Sequence, residues 1–301
     1  MKLDNQSYRL THLLLRLPTT PGNYIFLTLH GSNHHFSLIE DATLKLGSLT
    51  VTPSSVSVAL SKEVEMFESK GSVGVDTNER NVTTSATDGW CRRFNELGEV
   101  VEIKEAYKLV TSRIARHTGR DRRTCQRLLA KYGERERGRT NQRLHKVTRE
   151  IITYAEGNLL GIKMENLRGI RKLYRRGNGQ GAIFRGRMNS WVFGETRRQM
   201  DYKAKWDGVP LWFVSPRGTS SYCLCGSCVV RLAERRLYCP KCDRTWDRDD
   251  LAGRRIMACA VPQVRPSTGS SEGERVDASI PLSRWKEGRP NGRKSSRDSR
   301  T

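Results

Sequence analysis

Residues 71–90 read GSVGVDTNERNVTTSATDGW, and this stretch decides what the rest of the chain folds around. Small and apolar residues up to Asp76 predict one strand, and the run that begins at Asn81 predicts a second. The polar residues Asn78, Glu79 and Arg80 between them predict a turn. We therefore expect a hairpin, with Asp76 at the end of its first apolar run.

The segments that follow this hairpin predict helices and strands in alternation. Apolar residues recur at intervals of three and four, which indicates helices, in residues 99–132, 141–156, 188–208 and 249–260. The apolar runs LLGIKMENL (159–167) and VPLWFVSP (209–216) predict short buried strands, and Glu165 lies at the C-terminal edge of the first. This order predicts an α/β domain with a mixed central sheet.

The two ends of the chain differ from this middle part. Residues 1–70 contain two stretches of alternating apolar and polar residues, at 24–41 and 46–64, with a turn predicted at Pro53. They predict a small β-rich, barrel-like module. Residues 261–301 are rich in Ser, Gly, Pro and Arg and have almost no apolar periodicity, which predicts a disordered basic tail.

The charge of the chain indicates a polyanionic partner. Lys and Arg total 54 against 32 Asp and Glu, which gives a formal net charge of +22. Phosphate backbones are the commonest partners that neutralise such an excess. No stretch approaches the roughly 20 apolar residues that span a bilayer, and no secretory segment is recognisable. We expect a cytoplasmic protein that binds nucleic acid and not a membrane. No GxGxxG motif supports a nucleotide cofactor.

Eight cysteines are present, and five of them fall between Cys223 and Cys242. Cys239 and Cys242 form a CPKC knuckle, whose two intervening residues let both thiolates reach one tetrahedral ion. Cys225 and Cys228 are the preferred second pair because they repeat this spacing, and Cys223 is the alternative ligand. Four thiolates fill the coordination shell, so the sequence predicts a structural zinc ion without a catalytic role.

Three acidic residues stand where apolar strands or the cysteine segment end, namely Asp76, Glu165 and Asp249. Each alone has an ordinary explanation as a turn former or a helix cap. Brought together in a phosphate-binding cleft, they would bind a hard cation such as Mg²⁺. Spacing alone does not decide between these interpretations.

Four motifs in order along the chain resemble the RuvC-like nuclease core of TnpB-type (OrfB) proteins, which insertion-sequence transposons encode and which are relatives of type V CRISPR effectors. The motifs are GVDTNERNVTTS (74–85), IKMENLRGIRK (162–172), VPLWFVSPRGTSSYC (209–223) and CPKCDRTWDRDDLAGRRI (239–256). The resemblance implies an RNase H-like fold with an inserted zinc ribbon. It also implies RNA-guided DNA cleavage at a catalytic Mg²⁺ site formed by Asp76, Glu165 and Asp249.

The resemblance also implies a division of the chain into domains. We expect a partial wedge-like barrel in residues 1–70, the nuclease core in 71–218, the zinc ribbon in 219–246, the last helix of the core in 247–260 and the tail in 261–301. Asp247 and Asp250 compete with Asp249 for the third role, and the family pattern DRDxxAxxxI selects the middle acid.

Two other functions remain open at this point. A DNA- or RNA-binding zinc-ribbon protein of a mobile element, truncated and without catalysis, would show the same charge and the same cysteines. A transposase that transfers DNA strands would also use clustered acids with metal ions, although the inserted ribbon argues against it.

Overall fold

A computed structural model describes residues 1–118 and 121–260 and the backbone of Ala278–Ser279. The chain divides into two compact units, Met1–Glu63 with Glu274–Thr301, and Val64–Gly273. Apart from that two-residue strand, the predicted tail lies outside the described residues. None of the helices in the described ranges is both long enough and apolar enough to cross a membrane.

The first unit contains two antiparallel sheets and one helix. The first six strands are β1 (Lys2–Leu3), β2 (Arg9–Thr11), β3 (Leu14–Thr20), β4 (Asn23–Thr28), β5 (Lys45–Thr52) and β6 (Ser55–Ser61). Strands β2, β3 and β4 form one sheet, and β1, β5, β6 and the strand Ala278–Ser279 form the other. Thr52 pairs with Ser55 across the turn that contains Pro53, as predicted.

A helix, α1 (Asn33–Glu40), occupies part of the stretch 24–41 that was predicted as strand. This prediction was wrong beyond Thr28. Ser32 precedes the helix, and its backbone N–H donates to Nδ1 of His35 at 3.1 Å. A local cap of this kind satisfies an N–H at the start of a helix that would otherwise lack a partner. The cap at Ser32 outweighs the strand signal, which is the short alternation of polar and apolar residues in 24–41.

The second unit is built on a five-stranded mixed sheet. Its strands are β7 (Gly71–Thr77), β8 (Val82–Ala86), β9 (Cys91–Phe94), β10 (Leu160–Glu165) and β11 (Leu211–Val214). The order of the strands is β11-β10-β7-β8-β9. Strand β10 is parallel to both of its neighbours, β7 and β11. Strand β8 is antiparallel to both of its neighbours, β7 and β9. The predicted hairpin and the predicted mixed α/β architecture are confirmed.

Helices cover this sheet and supply much of its core. They are α2 (Glu96–Thr118), α3 (Arg122–Gly157), α4 (Ala182–Ser190), α5 (Phe193–Trp206) and α6 (Arg248–Ala258), with a 3₁₀ helix at Ile170–Tyr174. Helix α3 runs through residues 133–140, where a break was predicted. It begins instead after Asp121, whose side chain accepts the N–H of Thr124 at 3.0 Å. That cap fixes the helix start earlier than the apolar spacing suggested.

The cysteine segment forms a fourth sheet, smaller than the central one, that leads directly into α6. Its antiparallel strands are β12 (Val230–Arg231), β13 (Arg236–Cys239) and β14 (Arg244–Asp247). Because α6 starts at the residue after β14, the position of this small sheet and the position of the helix are linked.

Helix α6 packs directly against β7 at Gly74. A Cβ atom at Gly74 would lie 2.2 Å from the carbonyl oxygen of Gly253 and 2.4 Å from the backbone nitrogen of Met257. Both atoms belong to the backbone of α6 and cannot rotate away. Nearby, the Lys163 ammonium donates to the carbonyl oxygens of Met257 at 2.8 Å and of Cys259 at 2.7 Å, which fixes the end of the helix.

We expect Gly74→Ala to lower the free energy of unfolding by about 1–3 kcal/mol, because overpacking forces backbone shifts of this cost. Gly133→Ala is the matched control: it lies within α3, its Cβ would meet nothing within 4 Å, and it should raise stability by about 0.5–1 kcal/mol. Urea unfolding of both variants measures the difference. Equal changes in the free energy of unfolding in the two variants would contradict the close approach of α6 to β7 at Gly74.

Candidate active site and cysteine cluster

Asp76 and Glu165 lie side by side at the C-terminal ends of two parallel strands. Val75 of β7 pairs with Met164 of β10, so the next residue on each strand is Asp76 and Glu165. Asp249 lies in the first turn of α6, the helix that packs against β7. Asp76 is 7% exposed and Asp249 is 3% exposed. The fold thus brings together three acids that are far apart in the sequence.

The environment of Asp76 disfavours its charged form. Burial, followed by the negative charges of Glu165 and Asp249, raises the pKa of Asp76 to about 7, although the hydrogen bond from Asn78 and the charge of Arg248 oppose this rise. Asn78 donates to Asp76 Oδ2 at 2.7 Å. The carboxylates of Glu165 and Asp249 are therefore close enough to Asp76 to disfavour its negative charge, and the positive charge of Arg248 offsets this only in part.

Asp249 is held by two side chains and by the start of its own helix. The Arg235 guanidinium forms an ion pair with Oδ1 of Asp249, and Asn81 Nδ2 donates to its Oδ2 at 3.4 Å. The N-terminus of a helix favours a negative charge in its first turn. Both oxygens of this buried carboxylate therefore have partners.

Glu165 is fixed by the loop that follows β11. The hydroxyl of Thr219 donates to Oε1 of Glu165 at 2.6 Å. Burial raises the pKa of Glu165, and the bond from Thr219 and the charge of Arg248 oppose this rise. Among the described residues, the three carboxylates do not all lie within 4.8 Å of one another.

The two acids that flank Asp249 are engaged elsewhere. Asp247 caps α6 by accepting the backbone N–H of Asp249 at 2.8 Å and that of Asp250 at 3.2 Å. Arg93 of β9 pairs with Asp247 at 2.6 Å and with Asp250 at 3.1 Å. Asp249 is the acid of this run whose negative charge raises the pKa of Asp76.

Four thiols converge in the small sheet, those of Cys223, Cys225, Cys239 and Cys242. Their sulfur atoms all lie within 4.8 Å of one another. Two of the separations are 3.9 Å, between Cys223 and Cys242, and 3.6 Å, between Cys225 and Cys239. No disulfide joins these four residues.

This group differs from the set preferred from the sequence, because it contains Cys223, the alternative ligand, and not Cys228. The chain reverses at Gly226, which has a φ of 84°, and the Cys223 N–H donates to the Ser227 carbonyl at 2.8 Å. Cys228 pairs with Tyr222 across an antiparallel bridge instead. The regular two-residue spacing favoured Cys228, whereas the glycine after Cys225 was the signal of the turn.

Sequence reasoning did not single out a pocket beside Glu165. The pocket is lined by Thr77, Met164, Glu165, Leu167, Phe193 and Arg197. Thr77 directly follows Asp76 on β7, and Phe193 and Arg197 lie one helical turn apart on α5. Their helical spacing was visible in the sequence, but nothing in it indicated that this face of α5 lies next to Glu165.

Comparisons with known proteins find similar sequences and structures. The sequence model of the family described as Cas12f1-like, TNB domain, matches residues 193–256. A TnpB-like protein of Methanocaldococcus jannaschii is 29% identical over 255 residues, which cover 79% of this chain and 87% of that protein. A Cas12f1 solved in complex with sgRNA and target DNA superposes with a TM-score of 0.45 at 15% identity, over 66% of this chain and 55% of that chain. This chain thus spans little more than half the length of that solved protein.

Proposed function

We propose that the chain is a TnpB-type relative of the type V effectors and a metal-dependent nuclease that cleaves DNA under the guidance of RNA. Its similarity to the Cas12f1-like TNB family model and to a TnpB-like protein supports this proposal. The observation that carries the proposal is the buried carboxylate of Asp76, whose pKa is raised to about 7 by burial and by Glu165 and Asp249. Repelling carboxylates of this kind are stabilised when divalent cations bind between them.

The donor set fits Mg²⁺, which prefers carboxylate oxygens. Asp76, Glu165 and Asp249 would hold the ions, and two ions about 3.5–4 Å apart are the usual arrangement in nucleases with clustered carboxylates. When bound, such ions supply an activated water and stabilise the leaving oxygen of an in-line displacement. We infer an RNase H-like fold from the same geometry, with β7 as the central strand that carries the first acid.

The residues around the acids orient the ligands. Asn78 donates to one oxygen of Asp76 and Thr219 to one of Glu165, so each carboxylate keeps its other oxygen for a cation. Such second contacts fix ligand orientation in metal sites. Arg235 holds Oδ1 of Asp249, and a cation that binds to this oxygen must compete with the guanidinium.

The four thiols fit a structural zinc ion. A tetrahedral Zn²⁺ with Zn–S bonds of about 2.3 Å places its sulfur ligands roughly 3.8 Å apart, and the separations of 3.6 and 3.9 Å match this value. We therefore assign a zinc ribbon to residues 219–246, with Cys223, Cys225, Cys239 and Cys242 as ligands. Because four thiolates complete the coordination shell of the zinc ion, its role is structural and not catalytic.

The partners that we propose are target DNA and a guide RNA. The net charge of +22 provides the phosphate attraction that both polymers require. The direct test incubates the purified protein with Mg²⁺, RNA transcribed from the end of its own element, and a DNA library of targets. We expect cutting that needs both Mg²⁺ and the RNA, and a well-folded protein that binds both polymers without cutting would contradict the proposal.

A second candidate is a nucleic-acid-binding protein without catalysis. It is favoured by one observation, the ion pair between Arg235 and Asp249, because a guanidinium neutralises a carboxylate without supporting hydrolysis. The same assay separates the two functions, since this candidate predicts binding alone. Joined strands among the reaction products would indicate a strand-transfer transposase instead.

We expect the affinity for Mg²⁺ to rise between pH 6 and pH 8. Below a pKa of about 7 Asp76 is protonated, so a cation must displace a proton, and affinity falls up to about tenfold per pH unit. Titration calorimetry at several pH values measures this slope. Asp76→Asn is the control and should bind more weakly with a smaller slope; a wild-type affinity that is constant with pH would contradict the assignment.

The raised pKa of Asp76 also makes the stability of the metal-free protein depend on pH. Asp76 has a higher pKa in the folded chain than in the unfolded chain, so the folded state binds more protons. The free energy of unfolding therefore decreases as the pH rises from about 4 to 7, and Mg²⁺ should oppose this decrease.

A further inference from the structure

The pocket beside Glu165 contains a buried hydroxyl without a partner. Thr77 is 7% exposed, and its Oγ1 forms no hydrogen bond. A buried polar atom of this kind costs free energy unless a ligand or a water satisfies it. Thr77 lines the pocket, so its hydroxyl is a candidate donor to a ligand bound there.

The same pocket contains a guanidinium that forms no ion pair. Arg197 lies 3.9 Å from the centre of the Phe213 ring, and among the described residues it forms neither a salt bridge nor a side-chain hydrogen bond. Burial lowers the pKa of Arg197, and the positive charge of Arg168 lowers it further. Arg171 lies over the ring of Phe193, another wall of the pocket, at 5.4 Å. Positive charge is therefore gathered here, with the negative charge of Asp201 acting on Arg197 from a distance and without an ion pair to the guanidinium among the described residues.

We propose that this pocket binds a phosphate of the nucleic-acid strand next to the bond that is cut, with Arg197 as the positioning residue and Thr77 as a second donor. This inference rests on the proposed function, because it assigns the substrate contact of the same site. Arg197 and Thr77 offer donors, and a phosphate oxygen accepts from both; a guanidinium binds phosphate with two parallel bonds. Glu165 lines the same pocket, so a phosphate held there lies beside a metal ligand.

The test compares Arg197→Gln with Arg198→Gln. Arg198 is the next residue on α5, but its guanidinium pairs with Glu195 at 2.7 Å and is 61% exposed, so it is a matched control. The probe is a labelled single-stranded DNA, and Ca²⁺ replaces Mg²⁺ so that binding is measured without cutting. We expect Arg197→Gln to weaken binding about tenfold and to reduce the salt dependence by about one phosphate contact. Arg198→Gln should change neither quantity.

Two further variants keep the proposal testable if Arg197→Gln folds poorly. Arg197→Lys should recover the salt dependence but not the full affinity, because a lysine lacks the two-pronged geometry. Thr77→Val removes an unpartnered hydroxyl, so it should keep the stability of the protein and weaken binding severalfold. The phosphate assignment would be overturned if Thr77→Val left the affinity for DNA unchanged and if Arg197→Gln and Arg198→Gln bound DNA with equal affinity.

Failure of this inference and failure of the proposed function give different results. If the wild-type protein cuts DNA and Arg197→Gln binds normally, the pocket assignment fails and the nuclease stands. If the wild-type protein does not cut but Arg197→Gln loses affinity, the nuclease proposal fails, and the pocket is a phosphate site without a place beside a cleaved bond.

Discussion

Replacement of Asp76 by Asn will reduce Mg²⁺-dependent DNA cleavage by about a thousandfold or more. Asn keeps the size of the side chain but removes the negative charge that the cations require, and a thousandfold loss corresponds to about 4 kcal/mol of transition-state stabilisation. Affinity for nucleic acid should stay the same or rise, because a negative charge is removed from a site that faces phosphates. Cleavage rates and binding of a labelled duplex measure the two effects separately.

Asp250→Asn provides the matched control for the third acid. Asp249 and Asp250 are neighbours in the first turn of α6, yet Asp249 lies with Asp76 while Asp250 pairs with Arg93 at 3.1 Å. We expect Asp249→Asn to abolish cleavage and Asp250→Asn to keep most of it. The reverse result would assign the third ligand to Asp250, and wild-type activity in Asp76→Asn would place the chemistry elsewhere.

We expect Cys239→Ser to abolish the proposed zinc binding and to unfold the small sheet. Cys239 is fully buried at 0% exposure, and its sulfur lies 3.6 Å from that of Cys225. Structural zinc sites of this kind contribute an apparent 10–16 kcal/mol or so to peptide folding, so three ligands cannot hold the segment. Elemental analysis should find about one zinc per chain in the wild type and none in the variant. Limited proteolysis should then cut within residues 219–246.

A pair of serine variants tests whether Cys223 or Cys228 is the zinc ligand that accompanies Cys225. Cys223→Ser should lose zinc in the same way, whereas Cys228→Ser should keep it, because Cys228 lies outside the group of four thiols. Loss of zinc in Cys228→Ser with retention in Cys223→Ser would restore the pair preferred from the sequence.

The central sheet was predictable because its strands carry a local signal. The turn at Asn78, Glu79 and Arg80 and the apolar run that ends at Glu165 are readable without any long-range contact. The helix α1 was missed because its signal is one cap at Ser32. The long helix α3 was misread because its middle is polar and its start depends on Asp121.

The site was predictable only in part, for a similar reason. Acids at strand ends are visible in the sequence, and the family resemblance selected Asp76, Glu165 and Asp249 as the set that we now propose. The exchange of Cys228 for Cys223 depends on how the chain reverses at Gly226. Thr77 and Arg197 left no signal at all, because what marks them is the lack of a partner, which is a property of the folded chain.

Arg235 belongs to the cysteine segment but touches the acids: its guanidinium pairs with Asp249, and its carbonyl accepts the N–H of Arg248 at 3.0 Å. If an ion bound by the thiols fixes the position of Arg235, then by thermodynamic reciprocity a cation that draws Asp249 away from Arg235 alters the affinity of the thiols for their own ion by an equal factor. Chelation or oxidation of the sulfur ligands would then reach the carboxylates through a single side chain. The two centres should titrate as one coupled system.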